Sequence, residues 1–297
     1  MDLLQQARAE IDMVDAEMAA LFERRMCAVA DVARYKAETG KPVFDAAREA
    51  AVLDKNTARI ADETLRPYYR AFLNDAMAVS RAYQRAQLGR DTAAYQGVPG
   101  AWSHITLRRL FPFARESAFA TWGEVFDAVQ KGDAQFGVLP FENSSAGDVS
   151  TVLDLLYTHP KIIVSRMCDM HIRQDLVAVP GATMETIKTV VSHPQALAQS
   201  SVFVQQHGFK TATWGNTADA ARHVAELGDP TVAAIASAET AELYGLQILS
   251  PGINAEGDNT TRFIVIERAD TAPTMTGEGQ RLALLFTARH KPGQLAA

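Results

Sequence analysis

The sequence predicts a multi-domain protein: an all-α unit of three helices, then a two-lobed α/β domain, then the opening of a further unit. Three observations carry this. Residues 1–39 contain neither Gly nor Pro, and apolar side chains recur there with heptad spacing. After Gly89 the pattern changes to short β-branched or apolar runs alternating with amphipathic stretches, as when helices cover a sheet. Residues 269–279 are rich in Thr, Gly, Glu and Pro and read as a linker. The expected boundaries are 1–90, 91–268, a linker at 269–280 and a fragment at 281–297. With 297 residues and 47% hydrophobic composition, the chain can bury a core in each of two domains.

In the first segment Leu4, Ala7, Ile11, Val14, Met18, Leu21, Ala28, Val32 and Tyr35 form an a/d seam five heptads long. Arg25 takes an a position of that seam, where an unpaired charge is expensive, so an anion should meet it. Arg8 and Lys36 lie on the rim. At about 1.5 Å per residue, Arg8 is roughly 25 Å from Arg25 and Lys36 about 16 Å. Arg25 and Lys36 can bracket one small anion, whereas Arg8 joins them only from a second, antiparallel copy of the helix. On this segment alone, a device fixing oligomer register explains Arg25 equally well.

Gly40-Lys41-Pro42 ends the first helix, and Asp45 has the character of an N-cap for a second, running to residue 59. A third helical stretch covers 63–87, with Pro67 near its start. Three helices are too thin to bury both faces and want a partner copy. Asp45, Arg48 and Glu49 share one face of the second helix, and Ser80 and Gln84 share one face of the third.

In the α/β region, strands are expected at 92–95, 134–139, 162–167, 176–179, 189–192, 211–214, 232–236 and 263–267. Helical patterns fall at 104–110, 122–131, 149–157, 194–206, 217–227 and 238–244. The alternation predicts a largely parallel sheet, with ligand sites outside the carboxyl ends of its strands. Four polar segments sit at such ends: Gly97-Val98-Pro99-Gly100, Glu142-Asn143-Ser144-Ser145-Ala146-Gly147, Ser192-His193-Pro194-Gln195, and Thr260-Thr261-Arg262-Phe263. Ser192 is the expected cap of the helix it precedes.

A net charge of −6 argues against a nucleic-acid or anionic-membrane partner. No apolar run approaches a membrane span, and Met1-Asp2-Leu3 does not open a signal peptide, so a cytoplasmic location is expected. Cys27 and Cys168 fit neither a disulfide framework nor a zinc pattern and are expected to be buried small hydrophobes. The seven His residues show no ligating spacing, so neither metal nor cofactor is expected.

The set Arg8, Arg25-x10-Lys36, Pro42-Val43-x-Asp45-x2-Arg48-Glu49 and Ser80-x3-Gln84 resembles the helical mutase unit of bifunctional chorismate mutase/prephenate dehydratases. That resemblance implies an intertwined homodimer through the N-terminal helices, each active site borrowing Arg8 from the partner. It also implies roles. Arg8, Arg25 and Arg48 would hold the two carboxylates of chorismate, helped by Ser80. Lys36 and Gln84 would donate toward the breaking ether oxygen, with Glu49 accepting from the ring hydroxyl and Asp45 in the binding set.

Residues 93–268 resemble the dehydratase of the same family through the glycine loop, Glu-Asn-Ser-Ser-x-Gly, Ser-His-Pro-Gln and Thr-Arg-Phe. This implies a periplasmic-binding-protein-like pair of lobes with prephenate in the cleft between them. Thr261 is the implied proton donor, Phe263 shapes the ring pocket, and Glu142, Asn143, Ser144, Ser192, Gln199 and Arg262 are implied substrate-binding residues. Trp102 stands where the family usually has Tyr, and Gln174 where a His is common. Leu282-Ala283-Leu284-Leu285-Phe286 with Lys291-Pro292-Gly293 resembles the first strand and helix start of an ACT regulatory domain, so phenylalanine feedback is expected to be lost. Two rival readings remain open at this point: a mutase whose α/β domain is inactive, and a small-molecule-binding protein fused to a helical dimeriser.

Overall fold

The computed structural model describes residues 2–145, 147–254 and 259–270; the expected ACT fragment, and the linker beyond Asp270, lie outside the described residues. Helix α1 (Leu3–Thr39) starts at Asp2, whose carboxylate accepts from Gln5 N, and stops at Gly40, which takes the left-handed conformation (φ 69°). Its 37 residues span about 55 Å. Helix α2 (Ala46–Thr57) is capped by Asp45 as expected. A 3₁₀ turn (Glu63–Leu65) then leads into α3 (Arg66–Gln87), with Pro67 in its first turn where the missing N–H costs nothing.

Within one chain α1 packs on α3 through buried Ala33 and half-buried Arg25, Met26, Val29, Ala30 and Lys36. The heptad seam is rotated away from this contact: Leu21 is 60% exposed and Ile11 58%. Arg25 and the apolar seam, read as one stripe, therefore divide between neighbouring faces of α1. The small side chains of Ala30 and Ala33 let α3 approach on the Arg25 side.

The first lobe of the α/β domain contains β1 (Thr92–Gln96), α4 (Trp102–Leu110), β2 (Arg115–Phe119), α5 (Trp122–Lys131), β3 (Phe136–Asn143), β4 (Gly147–Asp148), α6 (Ser150–Thr158) and β5 (Ile162–His171). The chain then builds a second lobe from β6 (Asp175–Ala178), β7 (Thr189–Ser192), α7 (Pro194–Gln199), α8 (Ser201–Gln206), β8 (Lys210–Thr213), α9 (Thr217–Leu227), β9 (Val232–Ala236), α10 (Ala238–Leu243) and β10 (Gln247–Ser250). It returns to the first lobe in β11 (Thr260–Arg268). The sheets run β2-β1-β3-β11-β5, with β4 on β3, and β10-β6-β9-β7-β8.

Both sheets are mixed, not largely parallel. β11 enters from the far lobe and runs antiparallel between β3 and β5, while β6 runs antiparallel between β10 and β9. A chain that crosses between lobes and comes back must reverse direction in each sheet. The unexpected strands β2 and β10 are edge strands with little burial, so neither shows apolar alternation. The helix expected at 194–206 breaks at Ser200 into α7 and α8.

Three apolar clusters hold the domain: one fills the second lobe, and two lie in the first. At Gly137 a Cβ would come within 2.8 Å of both Ile266 and Val125, so β3 meets α5 only as glycine. The crossing segments lie side by side, joined by Ile172 N to Asn259 O at 2.7 Å and Ile253 N to Gln174 O at 2.8 Å. Cys27 is exposed and Cys168 half-buried, contrary to expectation, because Cys27 faces away from α3. Among the described residues no helix is long and apolar enough to cross a membrane.

Candidate active sites

In the helical unit the Arg25 guanidinium donates to Ser80 Oγ and, at 3.4 Å, to the Ala76 carbonyl; Ser80 donates to that same carbonyl at 2.6 Å. Ser80 is 5% exposed and Gln84, one turn on, 7%. The Gln84 Oε1 is buried with no partner among the described residues, an unusual state unless a ligand or water supplies a donor. Lys36 Nζ donates to the Val43 carbonyl at 2.5 Å, in the loop between α1 and α2. Burial pulls the Lys36 pKa below the ordinary lysine value, against the attraction of Asp45 and Glu49.

The Asp45 carboxylate accepts from Arg48 N at 3.0 Å, so it fixes the start of α2. Glu49 forms an ion pair with Arg81, whose guanidinium lies 5.6 Å over the Phe44 ring. Sequence reasoning missed Arg81; its place next to Ser80 on a helix gave no distinguishing signal. The structure thus brings Arg25, Ser80, Lys36, Asp45 and Glu49 to the α1–α3 contact and the loop beside it. Arg48 and Arg8 are exposed.

In the α/β domain the register of β11 on β3 sets Thr261 opposite Asn143. Asn143 Oδ1 accepts from Ser145 N at 3.0 Å, which fixes its amide orientation. Its Nδ2 then donates to Thr261 Oγ1 and Asn259 Oδ1, each at 2.8 Å. Asn259 Nδ2 in turn donates to Gln199 Oε1 at 3.0 Å. Every link is directional, and two donors are left over. Among the described residues the Thr261 O–H, its oxygen already accepting from Asn143, donates to nothing, and Gln199 Nε2 is buried without a partner.

Gln199 and Gln195, whose Nε2 reaches Asn143 Oδ1 at 3.3 Å, sit on α7 of the second lobe, so the network spans the cleft. Nearby, the glycine loop after β1 is clasped by α10: Thr240 donates to the Gly100 carbonyl at 2.8 Å, and the Tyr244 hydroxyl to that of Pro99 at 2.7 Å. His104 Nδ1 accepts from Gly100 N at 3.0 Å and its Nε2 meets Glu116 at 2.8 Å, which fixes the ring tautomer.

Other expected residues stand elsewhere. Arg262 and Glu142 pair with one another at 3.0 Å, with Asp169 as second partner of Arg262, on the strand face opposite Thr261. The Ser192 hydroxyl is spent on the Ile235 carbonyl at 2.7 Å, and it is His193, not Ser192, that caps α7. Phe263 is 1% exposed inside the cluster of Tyr95, Leu107 and Met170, so it braces the β11 floor. Ser144 ties β3 to β11 by accepting from Thr260 N at 3.0 Å. Gln195 ends the Ser-His-Pro-Gln segment and Asn259 directly precedes Thr260, and neither carries a local signal of its place in the network.

Residues 7–85 match the chorismate mutase type II family, and residues 93–271 the prephenate dehydratase family. A bifunctional chorismate mutase/prephenate dehydratase from Enterobacter agglomerans is 33% identical over 291 residues, 91% of this chain and 74% of that protein. The chain belongs to the bifunctional chorismate mutase/prephenate dehydratase family. Arogenate dehydratase 1 from Petunia hybrida is 39% identical over 184 residues, 61% of this chain and 43% of the plant protein. The chain spans about half the length of such plant relatives. The crystal structure of prephenate dehydratase from Arthrobacter aurescens in complex with L-Phe superposes with a TM-score of 0.58 at 25% identity, covering 69% of each chain.

Against the family pattern, both departures lie beside the cleft. Trp102 is the first residue of α4 and packs half-buried on the cluster around Phe263. Gln174 is 3% exposed in the crossing segment, its Oε1 without a partner among the described residues.

Proposed function

We propose that the chain carries out two successive steps of phenylalanine biosynthesis, converting chorismate to prephenate in the helical unit and prephenate to phenylpyruvate in the α/β domain. The observation that carries this reading is that Arg25, Ser80, Lys36, Asp45 and Glu49 gather in the helical unit and Asn143, Gln199 and Thr261 in the α/β domain, each group chemically suited to one step. Rearrangement of chorismate is pericyclic and needs no obligatory proton transfer. Arg25 with Ser80, Arg48, and Arg8 from a second copy hold the carboxylates, and Lys36 with Gln84 stabilises charge on the breaking ether oxygen. Glu49 accepts from the ring hydroxyl.

In the second step the bond between the ring and its carboxylate breaks, carbon dioxide departs, the bond's electrons enter the ring, and the ring hydroxyl leaves as water. Thr261 supplies the proton at the leaving oxygen and regains one from solvent. A threonine hydroxyl is a weak acid, so orientation by Asn143 and donation from Gln199 to the substrate's oxygens carry much of the effect. The exposed seam of α1 supports a homodimer, since so long an apolar stripe is rarely left in water. Two free cysteines agree with a reducing, cytoplasmic location.

The test is to follow chorismate loss and phenylpyruvate formation separately on the whole chain. Both activities are expected. Chorismate loss without phenylpyruvate leaves a mutase alone, and neither activity leaves a binding protein. Because plant relatives are named arogenate dehydratases, arogenate is the competing substrate to assay against prephenate.

A further inference from the structure

Between α3 and the first sheet lies a cavity of about 650 Å³, adjoining one of about 270 Å³, outside both clusters described above. Arg85, Arg166, Phe111 and Phe136 line both spaces. The two phenylalanine rings stack at 4.4 Å and 17°, with Arg85 5.1 Å over Phe136 and Arg166 5.7 Å over Phe111. The larger cavity is lined by five cations, Lys41, Arg81, Arg85, Arg90 and Arg166, against the carboxylates of Glu267 and Asp270. Of these, Arg81 is matched by Glu49, and Asp270 by Arg268 at 3.3 Å.

Among the described residues neither the Arg85 nor the Arg166 guanidinium donates a hydrogen bond to the protein or lies within 4.0 Å of a carboxylate. Arg85 is half-buried, and Arg166 reaches in from the exposed rim. Glu267 is felt by Arg85 only at longer range, and burial with repulsion from Arg81 and Arg166 pulls the Arg85 pKa down. A half-buried guanidinium without an acceptor is costly, and a carboxylate matches its fork geometry. The Phe111–Phe136 stack, with an arginine over each ring, offers an apolar wall beside the two guanidiniums.

The walls come from both catalytic units. Val43, whose carbonyl holds Lys36, lines the larger cavity, as does Val265 of β11, the strand that carries Thr261. We propose that this cavity binds a small ring-bearing dicarboxylate, gripped by Arg85 and Arg166 beside the Phe111–Phe136 stack. Its occupant is prephenate in passage between the two units, an assignment that rests on the function proposed above.

The test measures prephenate bound at equilibrium to the full chain carrying Thr261→Ala, with and without Arg166→Gln or Arg85→Gln. Each Gln variant is expected to remove one binding site per chain or weaken it at least tenfold. Without the Thr261 change, the same Gln variants should keep chorismate turnover, and phenylpyruvate formation from added prephenate, within twofold. Unchanged stoichiometry and affinity in both variants would overturn the proposal. So would displacement from that site by inorganic phosphate as readily as by phenylpyruvate, which marks a general anion site. Arg166→Lys keeps the charge but loses the fork, so an intermediate affinity serves if a Gln variant fails to fold. Should the wild-type chain show neither turnover while Arg166→Gln still abolishes binding, the functional reading fails and the site stands.

Discussion

On the proposed function, the helical cluster and the α/β cluster approach catalysis with opposite materials. The first is built largely from charges, Arg25, Lys36, Asp45 and Glu49 with the hydroxyl of Ser80, set on helices whose apolar seam is left open. The second is built from neutral groups, with Asn143, Asn259, Gln199 and Thr261 in one directional chain closed within a single polypeptide. Charges suit a step in which only charge redistribution needs stabilising. Oriented amides and a hydroxyl suit one that delivers a proton to a single oxygen. The contrast also predicts different vulnerabilities: the first site should depend on assembly, the second on sheet register.

The sharpest test of that division is Thr261→Ala. Removing a general acid costs on the order of 10²- to 10⁴-fold, so phenylpyruvate formation should fall within that range while chorismate turnover stays within twofold. Full dehydratase activity in this variant would remove Thr261 from its role. Next is Lys36→Ala, expected to slow the mutase by about 10²- to 10³-fold, as for loss of one oxyanion donor, with the dehydratase untouched. Equal losses in both assays from either change would mean that the two clusters are not independent.

Assembly dependence is tested by Met18→Asp, which puts a charge into the exposed seam. Sedimentation should show a monomer, and the mutase should weaken on the order of 10- to 100-fold, the worth of a charged hydrogen bond from Arg8. The dehydratase should hold. A monomer with full mutase activity would show that Arg8 is not delivered by a partner.

What could be read from the chain follows from the range of each interaction. The cap at Asp45, the end of α1 at Gly40 and the i, i+4 placement of Ser80 and Gln84 are local, and spacing reveals them. Arg81 with Glu49 joins residues 32 apart, and Asn143 with Thr261 joins residues 118 apart through strand register, which no local pattern encodes. The same limit explains the misplacement of Arg262 and Glu142. Their motifs are contiguous with Asn143 and Thr261, but a strand turns successive side chains to opposite faces. Edge strands β2 and β10 were missed because the apolar alternation that betrays a strand requires one buried face.

The smallest expected effect concerns His193, and it separates the two regions by pH. Its Nδ1 accepts from Gln195 N at 3.2 Å at the start of α7, and burial lowers its pKa below the ordinary value of 6.5. A group whose folded pKa is depressed binds its proton more readily when unfolded. Stability therefore falls as pH drops through about 6.5, and levels off once the folded pKa is passed. Because α7 carries Gln195 and Gln199, the loss should register in the dehydratase before the mutase. His193→Asn keeps a capping acceptor without a titrating ring. Thermal melting at pH 7.5 and 5.5 should then show a smaller pH-dependent drop in the variant, with the cap itself worth about 1 kcal/mol. An identical drop in both chains would assign the acid sensitivity to other groups and leave α7 as firm as the rest of the lobe.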